Sequence, residues 1–267
     1  MPAMKVRPIS LVLIDISGYT RFTKLHRLSA LHAEKIIGDL LESIVARASA
    51  PLVAHEILGD AVSFYAESDG SEALADEIRG QVASIFDAFR LREGELISDC
   101  SLCVCEACRN VGKLQLKAIL HHGQAVFSRI QDFRKISGED VILAHGLLKN
   151  SVPAREYILE TEPFYRLGGG FLELIPEHRT EVCGEFGSLR VRVFYPAGAA
   201  TVVKPVRRSL RDKLKRSFRN DWYSLQRAFM RRAPQPKRQE SASASASESA
   251  RFVELTHFPL KRGGREK

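Results

Sequence analysis

The stretch from Ile9 to Ile16 is apolar almost throughout and reaches Asp15 near its end, the pattern of a buried strand. After the turn-forming Ser17-Gly18-Tyr19-Thr20, apolar residues recur at steps of three and four (Ala33, Ile36, Ile37, Leu40, Leu41, Ile44, Val45, Ala48), and Pro51 closes this predicted helix. Leu52–Leu58 and Ala61–Ala66 flank Gly59-Asp60, a turn dipeptide that accepts positive φ, so they predict a hairpin. A second helix is predicted after Ser71, with Leu74, Ile78, Val82, Ile85, Phe86 and Phe89 on one face.

Leu114–His121 then predicts a strand and Gln124–Ile130 its hairpin partner across Gly123. Gly138 precedes a third helix through Val141, Ala144, Leu147 and Leu148, and closing strands are expected at Tyr157–Leu159, Phe171–Ile175, Glu181–Glu185 and Leu189–Tyr195. This order predicts an α+β domain over 1–196, an antiparallel-leaning sheet with helices on one face.

Charge changes the picture past that point. Residues 204–232 hold 11 Lys/Arg against 2 Asp/Glu, whereas 1–203 hold 22 against 26. Attraction to polyanions is therefore expected only from the C-terminal third. Within it, Val206, Leu210, Leu214, Phe218, Trp222, Leu225 and Phe229 form the apolar stripe of a basic amphipathic helix. That helix suits packing on the domain or on a second copy, docking on an anionic membrane surface, or, least of the three, nucleic acid, for which no base-reading motif is present. Residues 233–267, with the Ser/Ala run at 241–250, read as a disordered low-complexity tail. No apolar run approaches the ~20 residues of a membrane span, and no signal peptide is recognised, so a cytoplasmic protein, peripheral at the membrane if the helix docks there, is the expectation.

Four of the five cysteines (Cys100, Cys103, Cys105, Cys108) fall within nine residues of a segment spanning 96–112. Such spacing is unlike a disulfide framework and allows paired thiolates to face one ion, zinc ahead of iron–sulfur, with His121 or His122 able to replace one cysteine. Free loop thiols are the plainer alternative.

The stretch Leu11 to Thr20 resembles the opening strand of class III nucleotidyl cyclase domains, in which an aspartate at the place of Asp15 binds metal. Ile57-Leu58-Gly59-Asp60 is similar to the hairpin carrying the second such aspartate. Leu116–Gly123 and the helix from Gly138 to Ala144 resemble two further elements, while the Cys-rich insertion and the form of residues 144–150 are closer to an uncharacterised bacterial cyclase-like family. The resemblance implies a ferredoxin-like, nucleotide-cyclase-like fold, Mg or Mn held by Asp15 and Asp60, a nucleoside triphosphate as ligand, and base-pocket positions at Glu56 and Lys135, which could instead pair with each other. A homodimer is a further expectation.

In the resembled family an Asn and an Arg on the third helix stabilise charge at the transferred phosphorus. Here those places hold Ile142 and Gly146, which offer neither a hydrogen bond nor a charge. The sequence therefore predicts a catalytically degenerate cyclase-like protein, a metal- or nucleotide-binding regulatory or scaffolding module. The alternatives are an active cyclase or related phosphoryl-transfer enzyme using Lys113, Lys117 or His145, and a membrane- or partner-docking adaptor.

Overall fold

In the computed structural model, residues 5–24, 30–103, 105–171 and 174–196 are described. The chain divides into two units, Met1–Asn220 and Asp221–Lys267, and all described residues belong to the first. The basic stripe at 204–232 and the tail at 233–267 lie outside the described residues.

The apolar run near the N-terminus becomes β1 (Lys5–Ser17), the third strand of the sheet. It is buried almost continuously because both of its faces are covered: Val12, Ile14 and Ile16 enter one core, Ile9, Leu11 and Leu13 another. A short helix α1 (Tyr19–Lys24) leads towards α2 (Ala30–Arg47), whose Ala33, Ile36, Ile37, Leu40 and Ile44 form the buried stripe that the periodicity predicts. The hairpin β2 (Val53–Leu58) and β3 (Ala61–Glu67) turns at Gly59 with φ of 63°, as its dipeptide requires. Ser71 caps α3 (Glu72–Asp99), its side chain accepting from the Leu74 N–H.

The Cys-rich segment follows as a 3-10 turn at Cys100–Leu102, the four-residue α4 (Glu106–Arg109) and a 3-10 turn at Val111–Lys113. Next come β4 (Gln115–Ile130), β5 (Phe133–Ser137), α5 (Glu139–Gly146), β6 (Tyr157–Thr161), α6 (Glu162–Tyr165), β7 (Glu177–Val182) and β8 (Ser188–Phe194). The sheet order is β2-β3-β1-β4-β6-β8-β7, with β5 paired to the far end of β4. Every pairing is antiparallel except β4 with β6, which is reached by the crossover through α5.

The α+β class stands, with three corrections of detail. Helices cover both faces of the sheet: α2 and α3 pack on the Val12 face, and α5, through Leu143 and Ala144, on the Leu11 face. Phe171 and residues 174–176 are not strand. Nor does the chain turn at Gly123, because β4 runs straight through and its hairpin partner is β5. The reason lies seventeen residues on. The carboxylate of Asp140, at the start of α5, occupies the space in which a Cβ on residue 123 would stand. There it accepts the Gln124 N–H at 2.7 Å and lies 3.0 Å from His121 Nε2. Gly123 thus marks a close approach inside a strand and not a turn.

Candidate functional site

The C-terminal end of β1 delivers Asp15 to the α5 face of the sheet, in register with Ala61 of β3 and Lys117 of β4. Asp60 follows from the β2–β3 turn, which is pinned to β1 by the Ile16 N–H donating to the Asp60 carbonyl. The two carboxylates predicted to form a site are thereby brought to one cavity of about 580 Å³, within the range of small-ligand sites. Lys117 reaches into the same cavity. Its Nζ is 2.9 Å from Asp15 Oδ2 and donates to the Leu148 carbonyl at 2.9 Å. Burial and the neighbouring Asp15 carboxylate push Asp60 up to about 6, against the opposing pull of Lys117.

The opposite wall comes from α5 and the turn after it, through His145, Leu148 and Lys149. His145 Nδ1 donates to the Val141 carbonyl at 2.8 Å, so Nε2 is the unprotonated nitrogen of the neutral ring. Lys113 does not line this cavity. Neither of the remaining α5 positions brings a polar group to it. Ile142 is 63% exposed, and the would-be Cβ of Gly146 meets Cys183 Sγ at 2.6 Å.

Glu56 and Lys135 are not brought together. Glu56 is exposed on the edge strand β2, opposite Ser63, in the row of the sheet that crosses β4 at Ile119. Lys135 pairs with Ser128, nine residues further along β4, which is roughly 30 Å at the rise of a strand. A direct ion pair across one pocket is excluded by that register.

On the other face of the sheet, the cysteine segment packs on the core shared by α2 and α3. Three of the four predicted thiols, Cys103, Cys105 and Cys108, converge on His32 in the first turn of α2, with all four ligand atoms within 4.8 Å of one another. Cys100 lies outside that group. Hydrogen bonding to Cys100, with burial, holds the Cys108 thiol well above its ordinary range. His121 and His122 are not neighbours of the cluster. His121 is buried between Asp140 and Thr161, and burial lowers its pKa against the pull of Asp140. His32 escapes sequence reading because it lies about seventy residues upstream; its only local signal is its place at the start of the amphipathic stripe of α2.

The model of a family described as a protein of unknown function, DUF2652, matches residues 37–157. The chain is 30% identical over 126 residues to "Uncharacterized protein Rv2561/Rv2562" of Mycobacterium tuberculosis (strain ATCC 25618 / H37Rv), covering 47% of this chain and 57% of that protein. The chain thus spans little more than half the length of the curated relative it matches. Among solved structures, the adenylyl cyclase CyaB from P. aeruginosa superposes with a TM-score of 0.58 at 13% identity, over 74% of this chain and 98% of that one. The guanylate cyclase domain of RhGC from Catenaria anguillulae, solved in complex with GTP, gives 0.51 at 13% identity, over 71% and 97%. A bacterial light-regulated adenylyl cyclase gives 0.54 at 13% identity, over 71% of this chain and 51% of that one. The chain has the fold of a nucleotidyl-cyclase-like domain.

Proposed function

We propose that this domain is a catalytically degenerate nucleotidyl-cyclase-like module, which binds a metal ion or a nucleotide at the Asp15–Asp60 cavity and serves a regulatory or scaffolding role. The observation that carries the reading is the 2.9 Å pair between Lys117 Nζ and Asp15 Oδ2. Two-metal phosphoryl transfer needs carboxylates open to both ions. Here Asp15 already holds a cation belonging to the protein, so these residues do not fit a pair of divalent ions, and a single ion would compete with Lys117. The α5 wall supports the same reading: Ile142 and Gly146 supply no donor, and Cys183 fills the space beside Gly146.

The test is an assay of the full chain with Mn²⁺ and ATP or GTP, run beside a thermal-shift titration of the same nucleotides. A nucleotide-dependent rise in melting temperature without cyclic product is the expected result. Cyclic nucleotide above background would overturn degeneracy. It would favour a working phosphoryl-transfer site in which His145, with Nε2 as acceptor on the cavity wall, is the candidate base. Neither shift nor product would turn attention to docking through the basic segment at 204–232.

A further inference from the structure

A cluster of one imidazole and three thiols, separate from the cyclase-type carboxylates, lies on the opposite face of the sheet. The segment around Cys100–Lys113 has little regular structure of its own, two single 3-10 turns and the four-residue α4, and is held to the core through Ala107, Cys108 and Val111. Helices of that length do not sustain themselves, since nucleation fixes several residues for one hydrogen bond. Yet the segment is drawn tightly to the first turn of α2. His32 Nδ1 lies 3.3 Å from Cys105 Sγ, 3.6 Å from Cys103 Sγ and 3.9 Å from Cys108 Sγ.

We propose that His32, Cys103, Cys105 and Cys108 bind one zinc ion, a structural clasp that fixes the segment before β4 to α2. A tetrahedral zinc with its usual Zn–S and Zn–N bond lengths places imidazole nitrogen and thiolate sulfur about 3.5 Å apart, and the three observed separations bracket that value. Three thiolates and one imidazole in this arrangement select zinc over the oxygen-loving divalent ions. The Cys108 backbone N–H donates to Cys105 Sγ at 3.4 Å, the N-cap of α4, and the same bond would offset the charge of a Cys105 thiolate on the ion. Binding releases the protons of the three thiols, and the ion closes a link between residues some seventy positions apart. Cys100 lies outside the group and contacts it only through Cys108, and His121 belongs to another network, so the ligand set is one imidazole and three thiolates.

Elemental analysis of the full chain purified without chelator tests this, together with cobalt substitution in the wild-type protein. The expected results are close to one zinc per chain and a cobalt spectrum with the intense visible bands of tetrahedral geometry and thiolate-to-metal charge transfer. His32→Ala and Cys105→Ser should each weaken zinc by more than about 100-fold, beyond the 10–100-fold that outer-sphere partners are worth. Cys100→Ser, His121→Ala and the replacement His32→Cys should keep it. Zinc-free wild-type protein whose melting temperature ignores chelator overturns the proposal. So does full zinc retention in His32→Ala, or a loss in Cys100→Ser as large as in Cys105→Ser. The cobalt spectrum needs no variant, so misfolding of a mutant cannot rescue the idea. Because the site is on the far face of the sheet, its failure leaves the reading of the Asp15–Asp60 cavity untouched.

Discussion

Cys183 Sγ lies 2.6 Å from the point where a Cβ on Gly146 would stand, and the Cys183 thiol donates to the Leu143 carbonyl one turn earlier in α5. The relationship ties the loop after β7 to the helix that should carry transition-state groups in a working cyclase. It also sets the cost of restoring them. Glycine to alanine within a helix ordinarily gains 0.5–1 kcal/mol. Here the cysteine, 6% exposed, must move first. Gly146→Ala is therefore expected to lose about 1–3 kcal/mol, as overpacking does. The double change Gly146→Ala with Cys183→Ala should recover most of that, read by chemical denaturation. Ile142→Asn with Gly146→Arg is accordingly expected to lower the melting temperature without producing cyclic nucleotide.

Removing the ammonium should change what the carboxylates can hold. In the wild-type protein Lys117 neutralises Asp15, so Mn²⁺ is expected to raise the melting temperature little. In Lys117→Ala, Asp15 and Asp60 are left as two acids in one half-buried cavity, a stronger cation site. A ligand at 100 times its Kd stabilises by about 2.7 kcal/mol, which is easily read as a thermal shift. An equal Mn²⁺ response in both proteins would remove Lys117 from the argument.

Asp60 makes stability depend on pH in a direction opposite to that of an ordinary paired acid. Its folded pKa of about 6 exceeds the roughly 3.9 of an unfolded aspartate. The folded state therefore binds the proton more tightly, and the stabilisation is complete below about pH 4 and lost as pH rises through 6. Asp60→Asn should flatten this part of the profile and leave the protein more stable at pH 7.5, by about 1 kcal/mol once solvent screening of a half-exposed group is discounted. Glu93, pushed up to about 7 by burial and the nearby Glu156, slopes the same way and will remain in the mutant. Denaturation midpoints at pH 5 and 7.5 decide the comparison.

A buried pair links α3 to β6. Arg79 donates through Nε and Nη2 to Glu160 at 2.9 and 3.3 Å, with Arg79 4% exposed and Glu160 fully buried. Glu160→Ala should cost about 3 kcal/mol, the low end for a broken buried pair, because Arg79 Nη1 keeps Asp76 at 2.8 Å while the guanidinium lies 5.1 Å over the Phe164 ring. Replacing both partners, as Arg79→Met with Glu160→Leu, is expected to recover most of the loss. A calorimetric comparison of the single and double variants checks it.

What the sequence by itself determined is what short-range physics controls. The stripes of α2 and α3, the Ser71 cap, the positive-φ turn at Gly59 and the apolar β1 follow from neighbours within a few residues, and each is legible. Asp15 and Asp60 stood out only through the resemblance of their strand and turn to those of cyclase domains, and it is the structure that brings both to one cavity. The tertiary structure alone decided the rest, through contacts between distant residues. Gly123 reads as a turn until Asp140 is seen filling its missing side chain. Lys117 is one lysine in a strand until antiparallel register sets it opposite Asp15. The fourth member of the cysteine cluster comes from α2 and not from the adjacent histidines, because packing of α2 against α4, and not proximity in sequence, brings His32 there. Helices on both faces follow from the same cause: a strand's own pattern shows that it is buried, while only the crossover path of the chain determines which element covers each side.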